Sequence, residues 1–212
     1  NKIYDLSAAG TTSLVSGILV SSTSASATVN IHNNYIGDLK APSGSNGTTD
    51  VIRAINITAT TATTSFNVFY NTIYLNASST GTNFGCTGLF HTTSSTATTA
   101  ALDMRNNNIV NTSTASGTGL AVAYRRSSST LTNYAGTSNR NNLFGTSALY
   151  TDGVTPNTTL AAYKATVSTR DANSINENPS WQSTTGSSAD FLKFSTGTQT
   201  GLESGAANIV TY

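Results

Sequence analysis

The 212-residue chain carries 9% charged residues, far below the roughly one quarter of an ordinary globular domain, and 37% hydrophobic residues. Its net charge of +1, from 10 basic and 9 acidic residues, excludes the basic stripe of an electrostatic nucleic-acid binder. No apolar run is long enough to cross a bilayer, and a single cysteine excludes an internal disulfide.

The chain opens on Asn1-Lys2-Ile3-Tyr4-Asp5-Leu6, which reads as the middle of a repeat. The expectation is a segment of a longer protein. The tripeptide Asn-x-(Ile/Leu) then recurs at Asn34-Tyr35-Ile36, Asn71-Thr72-Ile73, Asn107-Asn108-Ile109 and Asn141-Asn142-Leu143. The spacings are 33, 37, 36 and 34 residues. Ahead of each Asn, period-2 apolar pairs mark a strand with one buried face: Val29 and Ile31, Phe66 and Val68, Leu102 and Met104. Shorter apolar pieces follow the Asn. Farther upstream lie Ile18–Val20, Ile52–Ile57, Leu89–Phe90 and Leu120–Val122, with Gly17, Gly88 and Gly119 opening three of these blocks. Each repeat therefore offers three strands and three turns. Runs such as 58–65 and 92–99 are β-branched and hydroxyl-rich without a 3.6-residue period, which argues against helices.

One such repeat cannot bury its apolar face alone, so repeats must stack. The pattern predicts an all-β, right-handed parallel β-helix of about five coils. Residues 1–145 hold the coils, and residues 146–212 hold the last coil and a C-terminal capping segment. Asn34, Asn71, Asn107 and Asn141 are expected at the bend between two strands. There Asn tolerates a left-handed backbone, and its amide can bond its equivalents in neighbouring coils as a ladder. The register weakens at the fifth mark, where Gly136 and Ser138 stand at the positions of Val29 and Ile31. The hydroxyl-rich stretches 21–28, 58–65, 92–99 and 127–132 read as solvated turns. Their irregular spacing lacks the Thr-x-Thr array of an ice-binding plane. Cys86, between Gly85 and Thr87, reads as a small buried hydrophobe, and Arg125-Arg126 as a solvated strand or turn.

Beyond residue 146 the pattern changes. Leu160-Ala161-Ala162-Tyr163-Lys164 fits one or two helical turns with Thr158 or Thr159 as N-cap. Pro179, Trp181, Phe191 and Phe194 are expected to cover the open end of the stack, which otherwise exposes core and strand edges.

The segment Asn173-Ser174-Ile175, Asn178-Pro179-x-Trp181 and Asp190-Phe191 resembles the closing portion of pectin-lyase-like, right-handed β-helix modules. Such modules occur in large secreted bacterial surface proteins, including type IX secretion substrates. Ile31-His32-Asn33-Asn34-Tyr35-Ile36 and Met104-Arg105-Asn106-Asn107-Asn108-Ile109 resemble the same modules. The resemblance implies an extracellular or cell-surface location. It implies as partners other domains of a longer parent chain, with surface glycans or other proteins as further contacts.

Glycan-cleaving β-helices need clustered carboxylates or a positioned base. Here seven Asp and two Glu are spread thinly, and no carboxylate is expected to stack on another at equivalent positions. The polygalacturonase-type Asn-Thr-Asp, Asp-Asp and Gly-His-Gly motifs are missing from the sequence, as is a lyase-type Arg-x-Pro-x-x-Arg. His32, Asp38 and Arg105 are the best catalytic candidates, should they meet on one outward face. No cofactor or metal set is indicated. The leading expectation is a non-enzymatic structural or adhesive module. The alternatives are a polysaccharide-degrading lyase or hydrolase fragment, or a glycan- or ice-binding surface.

Overall fold

The computed structural model describes residues 1–93, 101–154, 156–202, 205–206 and 209. The period-2 segments form short strands. These are β1 (Lys2–Ile3), β2 (Val15–Val20), β3 (Thr28–His32), β4 (Tyr35–Gly37), β5 (Ile52–Ile57), β6 (Ser65–Phe69) and β7 (Thr72–Leu75). They continue as β8 (Cys86–His91), β9 (Ala101–Arg105), β10 (Asn108–Asn111), β11 (Ala121–Arg126), β12 (Asn142–Gly145) and β13 (Ala148–Thr151), followed by helix α1 (Leu160–Val167). Each strand pairs in parallel with its equivalent one repeat away. Three sheets result, ordered β1-β4-β7-β10-β12, β2-β5-β8-β11-β13 and β3-β6-β9. The chain is thus a parallel β-solenoid. It makes about four turns rather than five, because β1 supplies one strand of a turn and β13 only begins another.

The sequence register holds in the first sheet, where Ile3, Ile36, Ile73, Ile109 and Leu143 form one row. In the third sheet Val29, Phe66 and Leu102 form one row, and Ile31, Val68 and Met104 another. Ile36, Ile73, Ile109, Val68, Phe66, Leu102 and Met104 are fully buried, each contributing about 1.5–3 kcal/mol by leaving water. In the second sheet Ile18, Ile55, Leu89 and Tyr124 align. Just before them the row is Gly17, Ala54, Gly88 and Ala123, small because the first sheet approaches there. A Cβ on Gly88 would sit 2.3 Å from Ile109 Cγ2. Gly119 has a different role, lying outside β11 where a Cβ would meet the Phe84 carbonyl oxygen at 2.0 Å. In the fourth turn Tyr134, not Gly136, takes the row of Leu102, and Asn139 pairs with Arg105. Two extra residues lie between those bridges, so no regular strand forms there.

A hydrogen-bonded line of side chains runs through the wall. Asn1 Nδ2 donates to Asn34 Oδ1 (3.0 Å), Asn34 Nδ2 to Asn71 (2.9 Å), Asn71 Nδ2 to Asn107 (3.0 Å) and Asn107 Nδ2 to Asn141 (2.9 Å). Each Oδ1 from Asn71 to Asn141 also accepts the backbone N–H of the preceding ladder residue. The left-handed residue of each bend, however, is not the ladder Asn. It is the residue before it: Asn33, Tyr70, Asn106 and Arg140, with φ from 54° to 58°. The ladder Asn itself must keep its amide aligned along the stack, so the preceding residue absorbs the turn.

Toward the C-terminal end the interior changes from aliphatic to tyrosine. Tyr134, Tyr124, Tyr150 and Tyr163 are buried and follow one another in that order, with neighbouring ring centroids 5.3–5.5 Å apart. Tyr163 and Val167 are the buried residues of α1, whose N-cap Thr159 accepts from the Ala162 N–H at 3.2 Å. This helix closes the last turn. The aromatic segment expected there lies elsewhere. Trp181 makes tilted ring contacts with Tyr74 (5.5 Å) and Phe194 (5.4 Å), and Phe191 packs against Tyr4 (6.0 Å). A Cβ on Gly37 would come within 3.1 Å of Phe191. Residues 181–194 therefore fold back along the outer face of the first sheet, with Pro179 buried ahead of them. The reason is apolar: Gly37, Tyr74 and Val110 form an outward row, and Val110 is fully buried. Both faces of this sheet need cover.

Candidate functional site

The catalytic candidates do not assemble. His32 and Arg105 share an outward row of the third sheet, separated by Phe69. Strands two places apart put them roughly 10 Å from each other. Arg105 is clamped by its own neighbour: Nε donates to Asp103 at 2.9 and 3.1 Å, and Nη2 also bonds that carboxylate. Thr137 Oγ1 donates to Asp103 as well, at 2.8 Å. The Asp103 carboxylate holds the Arg105 guanidinium above its usual range. Asp38 lies past β4, beyond a different sheet. Its carboxylate and that of Asp5 both bind Lys40, at 3.0 and 2.8 Å. The hydrogen bonds to Asp5 and then Asp38 raise the Lys40 ammonium.

Asp5 and Asp38 occupy equivalent positions, two residues after Ile3 and Ile36, and both are left-handed. The expectation that no carboxylates stack is therefore corrected. Two adjacent coils carry them, and a shared lysine relieves their repulsion.

The richest polar cluster lies on the outer face of the second sheet, and sequence reasoning missed it. Asp50, just before β5, has a side chain 2% exposed. Arg53 Nε donates to its Oδ2 and Arg125 Nη2 to its Oδ1, both at 3.1 Å. Arg53 Nη1 also donates to Asn56 (3.1 Å), whose Nδ2 reaches Ser16 Oγ (3.1 Å). The Arg53 guanidinium lies 3.5 Å above the centre of the Phe90 ring, a cation–π contact. Arg125 Nε donates to Thr87 Oγ1 at 3.2 Å. The network spans four turns. Burial, only partly offset by Asp50, lowers the Arg53 pKa. Beside it a recess of about 60 Å³ opens between the turns at 46–50 and 118–120, with Arg125 on its wall. Arg125 thus has a partly buried ionic role rather than that of a solvated turn residue. Arg126 points inward, 1% exposed, and donates to Thr130 O and Asn133 Oδ1 at 2.7 Å.

The ladder ends in a second buried carboxylate. Asp171 accepts from Asn141 Nδ2 (2.9 Å), Ser174 Oγ (2.5 Å), Tyr163 (2.5 Å) and the Tyr134 hydroxyl. Cys86 is fully buried beside Asn111, and burial pushes its thiol up to about 11, which makes it inert at neutral pH. Among the described residues no group of three or more His, Cys, Asp or Glu could hold a metal ion.

The hydroxyl-rich turns stitch coils together: Thr23 bonds Thr64 (2.9 Å) and Ser26 bonds Thr63 (2.8 Å). Most of the third such stretch, 94–99, lies outside the described residues. Between the third and fourth, Ser127 Oγ bonds Thr93 Oγ1 (3.1 Å) and accepts its backbone N–H (2.9 Å). Among the described residues no helix is long and apolar enough to cross a membrane. No family model, no curated protein and no solved structure matches the chain.

Proposed function

We propose that the chain is a structural or adhesive β-helix module of a secreted cell-surface protein, serving as a rigid spacer or contact surface. The observation that carries this reading is the ladder from Asn1 to Asp171. It joins every turn to the next by hydrogen bonds, buried from Asn34 onward, and so favours a stiff rod. The ion pair that engages Arg105 with Asp103 supports a non-enzymatic role. The resemblance to pectin-lyase-like modules of type IX secretion substrates supports the extracellular setting and the longer parent. Incubation with a panel of neutral and acidic polysaccharides should release no new reducing or unsaturated ends. Release of either overturns the non-enzymatic reading.

One observation favours the runner-up, a polysaccharide-degrading fragment: the Asp5–Lys40–Asp38 cluster at the surface. On that reading Asp38→Asn abolishes any cleavage found; cleavage that survives the change removes it.

A further inference from the structure

The Asp50 cluster is unbalanced. Two guanidiniums, Arg53 and Arg125, share one carboxylate, and among the described residues no other carboxylate pairs with either. One positive charge is therefore left over in a place where Asp50 is 2% and Arg53 9% exposed. A residual charge with little water around it attracts a counter-ion far more strongly than a surface arginine does. Arg125 is the more open member at 22% exposure. Its Nε and Nη2 are engaged by Thr87 and Asp50, which fixes the plane of the guanidinium. Among the described residues Nη1 makes no hydrogen bond, which leaves that edge for a ligand. Thr48, Thr49, Gly85, Thr118 and Leu120 complete the recess. At about 60 Å³ it has room for a few water-sized groups, enough for a carboxylate.

We propose that this recess is a binding site for a carboxylate, presented by an acidic peptide side chain or by an acidic sugar. A planar guanidinium edge pairs with a carboxylate through charge-assisted hydrogen bonds, and Asp50 holds that edge in place. The proposal deepens the contact-surface reading by naming the chemistry of the contact.

The test is an amide and arginine side-chain NMR titration of the folded protein with sodium acetate, with acetamide and matched sodium chloride as controls. Acetate should move the signals of Gly47, Thr118, Gly119, Leu120 and the Arg125 Nε–H saturably, and acetamide and chloride should not. Arg125→Gln should weaken acetate at least tenfold, and Arg125→Lys should weaken it less, in variants whose thermal unfolding confirms the fold. The absence of a saturable shift, an equal response to chloride, or an unchanged response in Arg125→Gln overturns the site. A blocked tetraglutamate peptide and glucuronate then serve as two arms. Whichever binds more tightly identifies the source, and either order upholds the site. Because the readout is binding by a folded rod, failure here leaves the spacer reading standing, which the polysaccharide digests test separately.

Discussion

Asn141 Nδ2 donates to Asp171 Oδ1 at 2.9 Å, and at this bond the asparagine ladder ends on a buried carboxylate. An Asn offers both a donor and an acceptor, so a row of them can extend indefinitely. An ionised carboxylate only accepts. Asp171 therefore receives the last amide and takes its remaining bonds from Ser174, Tyr134 and Tyr163. The ladder's chemistry and the closure of the solenoid meet at one residue.

Removing a middle rung should be costly. Asn71→Ala leaves the backbone N–H and Nδ2 of Asn34 without their acceptor and takes a donor from Asn107. Urea unfolding should show a loss of about 2–4 kcal/mol, the cost of two or more buried unmade bonds. Asn30→Ala, which breaks an exposed Asn30–Asn67 bond on the outer face, should cost about 0.5 kcal/mol or less.

Breaking the Asp50 cluster should cost similarly. Asp50→Ala strands two guanidiniums, one of them nearly buried, and should lower stability by about 3–5 kcal/mol in the same assay. Lys193→Ala, which removes an exposed ion pair with Asp190, should change it by less than about 1 kcal/mol.

The buried tyrosines and Cys86 predict a steep alkaline limit. Burial raises the pKa of Tyr124, Tyr134, Tyr150 and Tyr163 above the ordinary phenol value, and that of Cys86 to about 11. These groups are neutral when folded but ionise when unfolded, so the unfolded chain holds fewer protons. Stability is then intact below the unfolded pKa values and falls as pH rises beyond them: from about pH 8.5–9 for Cys86 and from about pH 10 for the tyrosines. Thermal unfolding between pH 8 and 11.5 should show this decline. Cys86→Ala should flatten the early part, and Tyr150→Phe the later part.

The bend residues predict a gain. Arg140 is left-handed at φ 58°, where its equivalents Asn33 and Asn106 carry the residue type that tolerates this conformation. Arg140→Asn should stabilise the chain by about 0.5–1 kcal/mol in urea unfolding, less whatever its exposed bond to Gly205 O contributes.

The solenoid was legible because each row repeats one residue type at one spacing. Ile36, Ile73 and Ile109 announce a shared face without any knowledge of the turns between them. What stayed hidden depends on contacts between unlike residues. Asp50 and Arg125 meet across two turns of unequal length, and no periodicity relates them. Asp5 and Asp38 were within reach of the same register that aligned Ile3 with Ile36, and extending it two residues would have found them. The closing role of α1 rests on Tyr163 and Val167, two buried residues in eight, too weak a pattern to read. Trp181 and Phe191 were recognised as covering residues. The surface they cover is an outward row, Gly37, Tyr74 and Val110, whose apolar character shows only once the coils are stacked.

The most direct test of the ladder is side-chain amide hydrogen exchange by NMR. The Nδ2 protons of Asn34, Asn71, Asn107 and Asn141 should exchange orders of magnitude more slowly than those of Asn67, because the ladder bonds are buried whereas the Asn67–Asn30 bond is exposed. Ladder amides that exchange as fast as Asn67 would contradict a solenoid held together by this line of asparagines.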